Sequence, residues 1–192
     1  MQVRTVVSRR RSLVQLTLAF FVALAALVSF GPAAHALDRA ADGWFHTGDG
    51  VRVKKVVFNF DVYAISHMMK DLPAEKSKQA VIDMDTDKRF TWRMLRDVEH
   101  EKIQSALTEA FAMNGYSDQS KIGPFVAAFS GDLTKGQTVT ISYSSTAKTV
   151  SISVQGGGSA TLSGIDFMKG VWSIWFGKID QPALSDALIR SM

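Results

Sequence analysis

The stretch GVRVKKVVFNFDVYAISHMM, Gly50 to Met69, is built mostly from Val, Phe, Ile and Met. That composition suits a pleated, partly buried surface and reads as one bent strand or two. Yet the stretch carries Arg52 near one end and Tyr63 near the middle. They raise the question of whether the pair anchors a ligand or lies on an ordinary solvated sheet.

Downstream, the polar DLPAEKSKQ (71–79) reads as a connection or short helix, followed by two strands, VIDM and RFTWRMLR, joined across DTDK. In the second strand Phe90, Trp92 and Met94 alternate with Arg89, Thr91 and Arg93, the period of a half-buried strand. DVEHEKIQSALTEAFAMNG is the clearest helix. Asp97 is the expected N-cap, Ile103, Ala106, Leu107, Ala110 and Phe111 form the apolar stripe, and Asn114-Gly115 is the stop. A shorter helix is expected over Ser117–Phe129, disturbed by Pro124.

Strands return in QTVTISYS, KTVSISVQ and SATLSG, with a turn at Gly156-Gly157-Gly158. Two helices close the chain, IDFMKGVWSIWFG and QPALSDALIR, the second opened by Asp180 and Pro182. Strands joined by hairpin-like turns, without regular βα alternation, predict an α+β domain: a large antiparallel sheet with helices on one face. A crevice between such layers is a common place for an apolar pocket.

Residues 1–36 precede this domain and read as a cleaved secretory signal. A basic start (Arg4, Arg9, Arg10, Arg11) leads into an apolar run from Leu13 to Phe30, then Ala34-His35-Ala36 as the cleavage site. Ser8-Arg9-Arg10-Arg11-Ser12-Leu13 also resembles a twin-arginine signal. The expected mature protein is one domain over 37–192, located in the periplasm, with no stable membrane insertion after cleavage.

The leader carries four of the 22 basic residues and none of the 18 acidic ones, so the mature chain is neutral overall. No global positive field remains to attract nucleic acid, and none is expected as a partner. Cysteine is absent. Disulfides, thiolate nucleophiles and cysteine-based metal sites are therefore excluded.

The remaining motifs read as structure. Asp83, Asp85 and Asp87 imitate a calcium loop, but Lys88 and Met94 stand where its glycine and glutamate belong. His67 beside Met68 and Met69 could ligate copper or haem iron, yet reads more simply as a buried or edge histidine. His46 and His100 form no helical pair with it. Trp172, Trp175 and Phe176 pack a helix on the sheet or line a pocket. No cofactor and no metal is expected.

In order, GDGVRVKKVVFNFDVYA, FTWRMLRDVEHEKI, the helix ending at Asn114, KGQTVTISY and LSGIDFMKGVWSIWFG resemble the chalcone isomerase-like family, in its bacterial exported branch. The resemblance implies an open-faced β-sandwich with a cleft between sheet and helices. It admits three kinds of member: isomerases that close a ring onto an enone, fatty-acid-binding proteins, and proteins without known catalysis. The isomerases' enolate-stabilising arginine falls on Arg52, and their strand threonine on or next to Tyr63, where tyrosine resembles the fatty-acid-binding members. Their helix tyrosine falls near Val98, their asparagine near Ser105, and their later Ser/Thr near Met168 or Lys169.

The resemblance thus implies a ligand site of Arg52 and Tyr63, with no catalytic residues, holding an apolar small molecule with an acidic head. A carboxylate can take a fork from Arg52 and a third bond from the Tyr63 hydroxyl. The apolar remainder would lie against Phe58, Val62, Ile65 and the Trp172/Trp175 helix. Positions 52 and 63 face opposite sides of an unbroken strand, so the pair requires a bulge or strand break near Asn59–Asp61. The alternatives are an isomerase of unknown substrate and an interaction protein whose cleft is filled.

Overall fold

The computed structural model describes residues 39–55 and 59–192; the expected signal and its cleavage site, and Phe58, lie outside the described residues. Six strands, β1 (Phe45–Lys55), β2 (Asn59–Met69), β3 (Lys88–Met94), β4 (Thr138–Ser144), β5 (Thr149–Val154) and β6 (Ser159–Ser163), pair in chain order, every neighbour antiparallel. Helices interrupt this meander at two places and follow its last strand. α1 (Lys78–Asp83) precedes β3, α2 (His100–Met113) and α3 (Gln119–Ala127) precede β4, and α4 (Ile165–Phe176) and α5 (Pro182–Leu188) follow β6. The result is the expected α+β architecture, an open-faced sandwich.

Side-chain alternation decides which face the helices cover. The ladder aligns His67, Phe90, Ile141 and Ile152 in one row across four strands, and Ile65, Trp92, Val139 and Val154 in the next. All eight are buried. The residues between them form the opposite row Ser66, Thr91, Thr140 and Ser153, half-buried or exposed. One face is hydrocarbon and the other hydroxyl, so helices pack on the first alone.

α4 is the helix most deeply embedded there. Eight of its twelve residues are buried, as expected of a helix apolar on nearly all sides. Phe90 meets Trp172 at 5.2 Å and Trp175 at 4.6 Å between ring centroids, so the aromatic cluster is core. α5 lies against β1, where a Cβ on Gly48 would run into the Ala187 carbonyl. Only glycine permits that approach.

Two local expectations are corrected. VIDM is helical: Val81 and Ile82 belong to α1, capped by the Ser77 hydroxyl, which accepts from Ala80 N at 3.1 Å. A short apolar run carries no periodicity that separates a strand from one buried helical turn. Lys88, buried within the sheet, donates its ammonium to the carbonyls of Val81 (2.6 Å), Ile82 (3.2 Å) and Met84 (2.9 Å), closing the C-terminus of α1.

Asp97, in turn, is not the N-cap of α2. Its carboxylate accepts from Lys135 N at 2.7 Å, and the helix begins after Glu99. The first-turn donor His100 N is instead taken by Asp132, 32 residues away, at 3.0 Å. A cap supplied by a distant loop has no local signature.

Candidate functional site

Arg52 and Tyr63 are directly opposed across the β1–β2 ladder. The chain reverses between them, so the odd spacing that separates two residues on one strand here brings them to one face. Beyond the pair the register slips: Val53 opposes Asp61, leaving Val62 as the extra residue of a bulge. The Val62 carbonyl accepts from Leu95 N at 3.0 Å, across towards β3. The sequence reading expects a bulge or a strand break near Asn59–Asp61; β1 ends at Lys55, before that span, and the bulge at Val62 lies one residue past it.

A cavity of about 950 Å³ opens at this end of the sheet, with Arg52 and Tyr63 in its wall. Val62 and Trp92 form its sheet side, and Val98, Ile103 and Leu107 its helical side. The wall facing the sheet therefore belongs to α2. The expected wall at Ile65 and the Trp172/Trp175 helix is corrected: those side chains are fully buried core, closed off by the packing of α4. Ala106, expected within the buried stripe of α2, is exposed and lines the cavity.

Donors gather around Tyr63 in the cavity wall. The Tyr63 ring stacks on Trp92 at 4.5 Å, and its hydroxyl oxygen accepts the indole N–H of Trp175 at 3.2 Å. Burial pushes the phenol's pKa up, partly opposed by the Trp175 bond and by the nearby Arg52 charge. The hydroxyl thus stays protonated at neutral pH, with its hydrogen available to an acceptor. The buried indole N–H of Trp92 has no acceptor among the described residues.

Arg52 is half-buried, its side chain 20 % exposed, and NH1 donates to Asp180 Oδ1 at 2.6 Å. The same nitrogen reaches Gln181 Oε1 at 3.4 Å. Gln181 itself docks on the edge strand like a further peptide, accepting from Val53 N and donating to Val51 O, each at 2.9 Å. The α4–α5 connection therefore fixes the root of Arg52. Among the described residues its Nε and NH2 have no partner, leaving one edge of the guanidinium for a guest.

Around the rim, Lys54, Arg96 and Lys102 stand among Asp97, Glu99, Glu101, Glu109 and Asp132. Arg96 also covers the Phe60 ring at 4.8 Å. The arrangement suits a guest with a hydrocarbon body and an oxygen-bearing head.

Val98 and Ser105, where the isomerases' tyrosine and asparagine fall, both line the cavity. Met168 does not, being buried in α4, and Lys169 turns to Asp83 at 2.7 Å. The sequence reading missed Trp92 as a wall and Asp180 as a neighbour of Arg52. Alternation placed Trp92 on the correct face; nothing local could announce a contact across 128 positions.

A meander sheet with helices on one face leaves a cleft between sheet and α2, apolar on its walls and charged around its rim. Residues 46–188 match the model of the family described as chalcone isomerase-like, and the chain belongs to that family. No curated protein sequence matches it. Among solved structures it is similar to a fatty-acid-binding protein of Arabidopsis thaliana, with a TM-score of 0.61 and 16 % identity. The likeness covers 78 % of this chain and 89 % of that one.

Proposed function

We propose that this protein is a non-catalytic carrier of a fatty-acid-like amphipath, held with its acidic head at Arg52 and Tyr63 and its chain between β2, β3 and α2. The observation that carries this reading is the cavity with Tyr63 and Arg52 together in its wall beside Val62, Ile103 and Leu107, where one edge of Arg52 has no partner among the described residues. Each methylene withdrawn from water contributes roughly 0.8 kcal/mol, and a hydrogen bond to a charged head about 1.5–3 kcal/mol. The fatty-acid-binding neighbour shares the scaffold and supports the same guest class.

The isomerase alternative also uses a guanidinium facing an enolate. It lacks support at two wall positions, because Val98 has no hydroxyl and Ser105 is too short to replace an asparagine's reach. Export through the N-terminal segment completes the proposal: intact mass of the protein recovered from its host's periplasm should begin at Leu37.

The direct test is displacement of a fluorescent fatty acid. Arg52→Ala should weaken binding about 10- to 100-fold, the loss of a charge-assisted pair. Equal binding by wild type and Arg52→Ala would remove the head site, and absence of binding by wild type would remove the carrier.

A further inference from the structure

Resting on the carrier reading, we infer that Asp180 is a specificity-determining residue, one that sets how strongly the site prefers an ionised head over a neutral one. Asp180 is not part of the cavity wall. It stands behind the wall, bonded to NH1 of Arg52 at 2.6 Å, and 56 % of its side chain is exposed. The guanidinium at the head of the site is therefore already balanced by one carboxylate before any guest arrives.

Two consequences follow from that geometry. First, a bidentate fork along the NH1 edge is taken, so an entering carboxylate meets only the Nε/NH2 edge together with the Tyr63 hydroxyl. Second, the guest's negative charge lies near that of Asp180 with one cation between them. Both Arg52 and Asp180 act electrostatically on Tyr63, which places the three groups within one field. Rim charges do not restore a positive field, since five acids there face three bases besides Arg52.

A neutral oxygen head escapes this repulsion. It still accepts from Tyr63, Arg52 and, if the stack opens, the unpaired indole of Trp92. The donor set thus selects for oxygen, and Asp180 adjusts the weight given to charge. Two like charges held on either side of one guanidinium repel each other. Exposure of Asp180 screens this to about a tenfold effect on affinity.

The experiment compares two probes of equal chain length, a fatty acid and the corresponding fatty alcohol, by displacement of one fluorescent reporter at neutral pH. Asp180→Asn retains the shape and the oxygen acceptor for Arg52. It should strengthen the acid about tenfold and leave the alcohol within about twofold. Asp180→Glu, which restores the charge, should return the acid-to-alcohol ratio towards wild type.

An unchanged or lowered ratio in Asp180→Asn, with both probes still bound, overturns this inference and leaves the carrier reading intact. Failure of wild type and variants alike to bind either probe overturns both.

Discussion

The indole of Trp175, in the helix buried against the sheet, donates to the hydroxyl of Tyr63 on the cavity wall at 3.2 Å. A core side chain thus aims a cavity side chain, coupling the packing of α4 to the geometry of the head site. Tyr63→Phe severs this link on both sides. Trp175, 1 % exposed, loses its acceptor inside the core, and an unpaired buried donor costs about 1–3 kcal/mol. The guest loses one donor, worth about 1 kcal/mol or fivefold in affinity. Urea unfolding and probe displacement on the same variant should therefore both decline; a loss of stability with undiminished affinity would place the guest away from Tyr63.

Ala106→Trp tests the cavity without touching its polar end. Ala106 is exposed on α2 and lines the cavity, so an indole there occupies the volume assigned to the guest's chain. The helical cost of replacing alanine is about 0.5 kcal/mol. Unfolding midpoints should remain close to wild type while probe affinity falls more than tenfold. A variant that binds normally would show that the hydrocarbon lies elsewhere.

Much of this architecture is visible in residue order alone, and the exceptions share a cause. Phe90, Trp92 and Met94 announce a half-buried strand because a strand's two faces alternate by covalent geometry. The α2 stripe at Ile103, Leu107 and Phe111 is equally local. VIDM failed because three apolar residues around one aspartate fit either period, and the partner that fixes it as a helix end, Lys88, belongs to the following strand. Asp97 failed because Asp132 reaches the first turn from another loop. The site divides in the same way. Arg52 and Tyr63 are marked by residue type and by the family resemblance, but their alignment depends on a reversal and a bulge, and the balance of the Arg52 charge on Asp180.

Lys88 offers a test of that long-range logic. Its ammonium is sealed between the sheet and the last turn of α1, with the Trp172 ring 5.0 Å away. Lys88→Met retains the length and volume of the stem. It relieves the desolvation of a cation but leaves three carbonyls without their donor. The orphaned acceptors outweigh the relief, and the expected loss is about 2–3 kcal/mol. A urea midpoint equal to wild type would show that water or a local shift satisfies α1 unaided.

His67 should give the protein a distinctive acid sensitivity. Its Nε2 accepts the Trp172 indole N–H at 2.9 Å, so Nδ1 carries the hydrogen and donates to Thr47 Oγ1 at 2.6 Å. Thr47 passes a hydrogen on to the Leu188 carbonyl at 2.9 Å, tying β1 and β2 to the end of α5. A proton on Nε2 would break the Trp172 bond and place a second cation near Lys88. Burial first, and then the charges of Lys88 and His46, hold the imidazole's pKa well below 6.5.

In the unfolded chain the ring takes a proton near 6.5. Below that pH the unfolded state binds more protons than the native state, so stability falls as pH falls, by up to about 1.4 kcal/mol per unit. Above 6.5 this contribution is fully present. Lys88, drawn down to about 7 by burial, is charged in both states through most of the acid range, so its own dependence lies between about 7 and 10.5. Asp85, Asp166 and Asp180, held low by their partners, lose their contributions only below their ordinary value of 3.8. Urea unfolding between pH 6 and 4.5 should show the slope in wild type and a flatter profile in His67→Gln, which keeps an acceptor for Trp172. Parallel profiles for the two proteins would mean that the buried imidazole takes its proton without disturbing the core.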